Sequence, residues 1–140
     1  MQATSNWLSS SGASYRPRGG EVGYAQLTHY TAEYCEWGEG SPLVLIPGMA
    51  GGFQLLGPLA EVLARDFRVV TFQLRGEDNC FAMRRPFGLT DLVSDLAEFI
   101  RWRGLEAPPV FGVSFGGVIG LEFAARFPLR LGRLAVQGVG

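Results

Sequence analysis

Ser114 lies in the stretch PPVFGVSFGG, residues 108–117, between an apolar run and a second apolar run of different period. A serine hydroxyl is a weak nucleophile until a base removes its proton. A sharp turn from a strand into a helix holds such a hydroxyl clear of the sheet. Small residues two before and two after the serine let the backbone fold that tightly, and Gly112 and Gly116 occupy those positions. The following helix would aim its N-terminal N–H groups at the site, where they favour developing negative charge. The N–H of Phe115 is then one oxyanion donor. A second must come from another loop at a strand end, and PGMAGG, Pro47 to Gly52, offers the N–H of Met49. Losing one such donor typically costs about 2.7–4 kcal/mol of transition-state stabilisation. The plainer assignment for Ser114 is a small residue in a tight turn.

The base is harder to place. The chain holds one histidine, His29, far upstream in an alternating segment where a packing or surface role is expected. Asp78, Asp91 and Asp95 read as loop or helix-surface carboxylates. Arg75 reads as a structural donor to loop carbonyls. Phe53, Phe87 and Phe115 either line an apolar acyl pocket or pack locally. PGMAGG is not followed by Lys-Ser/Thr, so a phosphate cradle has no support there. Gly138-Val139-Gly140 after a strand is too short for a dinucleotide fingerprint. No metal-ligand spacing occurs, and neither a metal nor a cofactor is expected.

The elements that must position these residues follow from periodicity. Tyr24 to Trp37 alternates in part and predicts one or two outer strands, closed by Gly38 and Gly40. Leu43 to Ile46 is a short apolar run that suits a strand covered on both faces. Leu55, Leu59, Val62 and Leu63 recur at helical spacing, with Asp66 closing the helix. Phe67 to Phe72 predicts a buried strand, and Gln73 to Phe87 a loop. Thr90 is the expected cap of a second helix, with Asp91 in its first turn. Leu92, Val93, Leu96, Phe99 and Ile100 form its apolar face, and Gly104 ends it. Val110 to Val113 predicts a strand, Gly116 to Phe127 a helix stopped by Pro128, and Leu134 to Gln137 a last strand. Strand and helix alternate, which argues for an α/β fold: a mostly parallel sheet with helices on both faces. Active groups in such sheets lie in loops at the strand carboxyl ends.

The chain has 140 residues, 47% hydrophobic and 18% charged, and a formal net charge of -1. It is long enough for a core, and its charge gives no reason to expect nucleic acid as a partner. Residues 1–22, rich in serine and glycine, are expected to be a flexible tail, and 23–140 the folded unit. No basic start with an apolar run marks a signal peptide, and no stretch is long enough for a membrane span. The cytoplasm is the expected compartment, with Cys35 and Cys80 as free thiols.

From about Tyr24 to Gly140 the chain resembles the N-terminal half of the α/β-hydrolase fold family. Gly112-Val113-Ser114-Phe115-Gly116 matches Gly-x-Ser-x-Gly, in its strand–turn–helix context. GEGSPLVLIPG, Gly38 to Gly48, looks like the third strand and oxyanion loop. RFPLRLGRLAVQG, Arg126 to Gly138, looks like the helix end and sixth strand. Three features depart from the pattern. Pro47-Gly48 stands where His-Gly is common. Only Arg75 and Gly76 match the loop pattern Asp-x-Arg-Gly-x-Gly-x-Ser after the fourth strand. In chain order the family's acid and histidine come after the elbow.

The resemblance therefore implies an incomplete α/β-hydrolase fold here, with the cap, late strands, acid and histidine missing and this chain alone inactive. It implies a serine hydrolase that cleaves an ester, thioester or related acyl bond of a small apolar substrate. Serine rather than aspartate at the elbow argues against the alkyl-enzyme chemistry of related dehalogenases and epoxide hydrolases. The alternatives are an acyltransferase of the same fold, or a non-catalytic or decayed half-domain whose open sheet edge binds a second chain.

Overall fold

A computed structural model describes residues 20–48, 52–76 and 86–139. Met49, Asp78, Cys80 and the side chain of Phe53 lie outside the described residues, as does the tail before Gly20. Strands β1 (Gly20–Gln26) and β2 (Thr31–Trp37) form an antiparallel hairpin. Then come β3 (Pro42–Ile46), a 3-10 turn (Phe53–Leu56), α1 (Gly57–Leu63), β4 (Arg68–Phe72), α2 (Leu89–Trp102), β5 (Val110–Val113), α3 (Phe115–Arg126) and β6 (Leu134–Gln137). The sheet order is β1-β2-β4-β3-β5-β6. β4, β3, β5 and β6 are parallel, and β2 joins β4 antiparallel. The expected α/β architecture is thus present, with the hairpin as its antiparallel edge.

The period of two along each central strand divides the core between two faces. Val44, Ile46, Val70, Phe72 and Val110 face α2 and α3, where they meet Leu92, Leu96, Phe99, Ile100, Ile119 and Phe123. Leu45 and Val69 face the other way, with Cys35, Trp37 and Ala60 of α1. Phe72 of β4 stacks on Phe99 of α2 with ring centroids 4.3 Å apart. The apolar stripe expected on α2 is the stripe that is buried. Each such side chain contributes about 1.5–3 kcal/mol on full burial.

Five local expectations are corrected. β1 begins at Gly20, paired with Trp37, so Gly20 to Val22 of the expected tail are strand. Thr90 is inside α2 and does not cap it. Gly88 holds the cap position in extended backbone, and its N–H donates to the Asp91 carboxylate at 2.9 Å. A carboxylate three residues into the helix reaches back to that N–H and also suits the helix dipole. α3 begins at Phe115 and its last residue is Arg126, because the chain turns into it at Ser114 itself. Asp95 is not on the helix surface; it is 1% exposed. It takes a two-pronged ion pair from Arg75, Nε to Oδ2 at 2.9 Å and Nη2 to Oδ1 at 2.6 Å. Arg75 is therefore structural, but its acceptor is a carboxylate on α2. The α2 end follows expectation: Gly104 N–H donates to Arg101 C=O at 3.0 Å and Leu105 N–H to Ile100 C=O at 3.0 Å.

Cys35 is fully buried on the α1 face, and burial pushes its thiol up to about 12 from an ordinary 9.0. A folded value above the unfolded one gives stability that is complete below the unfolded value and lost as pH rises through the folded one. Stability is expected to fall between pH 9.0 and about 12, less steeply in Cys35→Ala. Urea unfolding across that range measures it. A thiol reagent at neutral pH should modify Cys35 no faster than the chain opens, read in a Cys80→Ser background. Among the described residues no helix is long and apolar enough to cross a membrane.

Candidate active site

Ser114 sits between the end of β5 and the start of α3, at φ 56°, ψ -123°. For a residue with a Cβ this is strained backbone, costing about 1–3 kcal/mol, and it persists only where its surroundings hold it. The side chain is exposed, at the carboxyl ends of the parallel strands. Its N–H donates to Gln137 C=O of β6 at 2.7 Å, and its C=O accepts from Gly117 N–H at 2.9 Å. The N–H of Phe115 opens α3, where no intrahelical acceptor exists, and it has no backbone partner among the described residues.

The flanking glycines are required by contact distance. A Cβ on Gly112 would lie 2.3 Å from Gly116 O, and one on Gly116 would lie 2.2 Å from Ile46 O and 2.6 Å from Pro47 O. These obstacles are backbone atoms and cannot swing away. Gly116 thus lets α3 rest on the end of β3, which brings the loop after β3 beside the serine. A Cβ placed on Gly48 would be 3.8 Å from Ser114 Oγ. Gly116→Ala is expected to wedge α3 off β3 and to cost roughly 1–3 kcal/mol or more in urea unfolding. A cost within 0.5 kcal/mol would mean that the β3 end yields freely.

The structure therefore brings together Ser114, Phe115, Gly112, Gly116 and the residues just after β3, Pro47 and Gly48. The Met49 N–H falls outside the described residues. His29 is kept apart. It is exposed in the turn between β1 and β2, and three strand spacings separate β2 from β5. At about 4.8 Å each that is roughly 14 Å, far beyond hydrogen-bond reach. Asp91 is occupied at Gly88 and Asp95 at Arg75, so neither is free to orient a base at Ser114. Phe87 packs over Gly76, where a Cβ would lie 2.5 Å from its ring, and sits 6.0 Å from the Arg75 guanidinium. That is a loop-pinning role. The contribution of Gln137 was not anticipated, because the sequence has no signal for a backbone acceptor on a neighbouring strand.

The family model described as "Alpha/beta hydrolase family" matches residues 43–139, from β3 through the turn after β6. The chain belongs to the alpha/beta hydrolase family. Among curated proteins it is 31% identical over 99 residues to "Putative carbamate hydrolase RutD" of Azorhizobium caulinodans, covering 71% of this chain and 37% of that protein. It is 30% identical over 106 residues to the (E)-2-((N-methylformamido)methylene)succinate hydrolase of Acinetobacter baylyi, covering 76% and 40%. Among solved structures it is similar to the enol-lactonase of Burkholderia xenovorans LB400, with TM-score 0.74 and 24% identity over 80% of this chain and 45% of that one. It is also similar to the epoxide hydrolase CorEH, with TM-score 0.78 and 25% identity over 84% and 41%. The chain thus spans about two fifths of the length of the curated relatives it matches.

Proposed function

We propose that the protein carrying this chain is a serine hydrolase that cleaves an ester, thioester or related acyl bond of a small apolar substrate, with Ser114 as its nucleophile. The observation that carries this reading is the backbone of Ser114. A serine stands exposed at a strained φ of 56°, in the one turn where β5 becomes α3. The relatives named "Putative carbamate hydrolase RutD" and (E)-2-((N-methylformamido)methylene)succinate hydrolase fit acyl chemistry.

In this reading Ser114 Oγ attacks the carbonyl carbon and its proton passes to a histidine outside this chain. The carbonyl oxygen becomes an oxyanion held by the N–H groups of Phe115 and Met49 and favoured by the α3 dipole. Collapse expels the alcohol, thiol or amine with that proton. Water then attacks the acyl-enzyme and frees Ser114. An acceptor other than water would make the same site an acyltransferase. The acid and base are expected after β6 in chain order, and the cytoplasm is the proposed compartment.

A second reading is a non-catalytic domain: among the described residues β6 is one of the two edge strands of the sheet, and its Ala135, Val136 and Gln137 are exposed. A non-catalytic domain would use that edge to bind a partner chain. The test is fluorophosphonate labelling and p-nitrophenyl ester turnover by the full-length protein, each compared with Ser114→Ala. Labelling and turnover that both vanish in the variant support the hydrolase; wild-type protein inert in both assays favours the partner-binding reading.

A further inference from the structure

Ser114 holds a costly conformation, and the atoms that hold it are identifiable. On one side the Gly117 N–H donates to the Ser114 carbonyl at 2.9 Å, within the first turn of α3. On the other side the Ser114 N–H donates at 2.7 Å to the carbonyl of Gln137, the last residue of β6. The next residue, Gly138, has φ +68° and turns the chain back toward the serine. Val139 then lies against α3: a Cβ on Gly117 would be 2.3 Å from Val139 Cγ2. The turn 137–139 therefore clasps the first turn of α3 from the side opposite the β3 loop.

We propose that Gly138 is a positioning residue for the Ser114 nucleophile, acting through the Gln137 carbonyl, and this rests on the hydrolase reading above. The Gln137 carbonyl points at the Ser114 N–H while the chain leaves β6 through a left-handed Gly138. With Gln137 held in β6 and Val139 held against α3, a move of Gly138 to negative φ is taken up by rotation of the peptide plane between Gln137 and Gly138. The Ser114 N–H then loses its acceptor, and the serine can relax out of its strained state. The bond also reserves the Ser114 N–H, which leaves the N–H of Phe115 as the elbow's donor to an oxyanion.

The site allows φ and bulk to be separated. A Cβ on Gly138 would lie 3.9 Å from Ser114 N and 4.0 Å from Ser114 Cα, ordinary contact distances. Side chains fit there, and only the backbone conformation is demanding. Asparagine tolerates left-handed backbone far better than a β-branched residue does.

The experiment compares Gly138→Val, Gly138→Ala and Gly138→Asn in the full-length protein, with acylation followed by stopped-flow p-nitrophenol release and labelling by fluorophosphonate. Gly138→Val is expected to slow acylation on the order of 10–100-fold, as for a reacting group displaced by about 1 Å. Gly138→Ala should be intermediate, and Gly138→Asn close to the parent. KM for the ester should change little, because the turn orients the nucleophile and is not assigned contact with the substrate. Equal rates in all three would overturn the proposal, as would an equal loss in valine and asparagine, which would point to bulk. If Gly138→Val does not fold, the alanine–asparagine ratio carries the same decision. Parent labelling that persists in Ser114→Ala would sink the hydrolase reading itself, a result distinct from either outcome at Gly138.

Discussion

Ser114→Ala in the full-length protein is expected to lower ester turnover by on the order of 10⁴–10⁶-fold, leaving only what the oxyanion donors and binding supply. The size follows from the chemistry. Removing Oγ removes the covalent route, and a bound water lacks the placement that the β5–α3 turn gives the hydroxyl. The effect should fall on kcat, with KM nearly unchanged, since the hydroxyl contributes more to the reacting state than to binding. His29→Ala is the paired control and should leave turnover intact. The sheet order puts His29 on the hairpin side, with β4 and β3 intervening before β5. Turnover lost in His29→Ala but kept in Ser114→Ala would reverse both assignments at once.

The largest expected effect on stability is at the Arg75–Asp95 pair. Both side chains are almost wholly buried, at 8% and 2% exposure. Burial pushes the Asp95 carboxyl up, and the guanidinium opposes that shift while its own value is raised by the bond to Asp95. Asp95→Ala removes the carboxylate that takes both prongs of the buried guanidinium, a loss typically of about 3–5 kcal/mol. Against a usual total of about 5–15 kcal/mol, that is enough to unfold part of the population. Arg75→Leu should cost a similar amount. The double variant Arg75→Leu/Asp95→Leu should cost much less than the two together, because no charge is then stranded. Urea denaturation of the four proteins measures this. A double variant no more stable than the sum of the singles would show that the pair acts through something other than mutual neutralisation.

The contrast between these two sites shows what is legible in a sequence. β5 and β6 occupy the spans expected from their apolar runs, and the stripe on α2 is buried as its spacing requires. The strand–glycine–serine–glycine–helix order alone marks the turn at Ser114. Asp95 is buried against expectation, because a charged residue beside an apolar stripe ordinarily faces water. Its partner lies twenty residues earlier, past the end of β4. Thr90 does not cap α2 for a simpler reason. A good capping residue does not cap when a glycine two residues earlier leaves the helix in extended backbone and a carboxylate reaches it.

The alternation of strands and helices, the two-faced core and the small residues that a tight turn at Ser114 needs can all be read along the chain. These depend on local spacing, and local spacing is written along the chain. The three-dimensional fold is what rests Gly116 on the carbonyls of Ile46 and Pro47 and makes Gln137 accept the Ser114 N–H. It alone decided that Arg75 and Asp95 neutralise each other and that His29 lies strands away from the serine. Each of these is a meeting of segments distant in sequence, and strand order sets such meetings. Strand order follows from crossover connections and packing, which no short window of residues encodes.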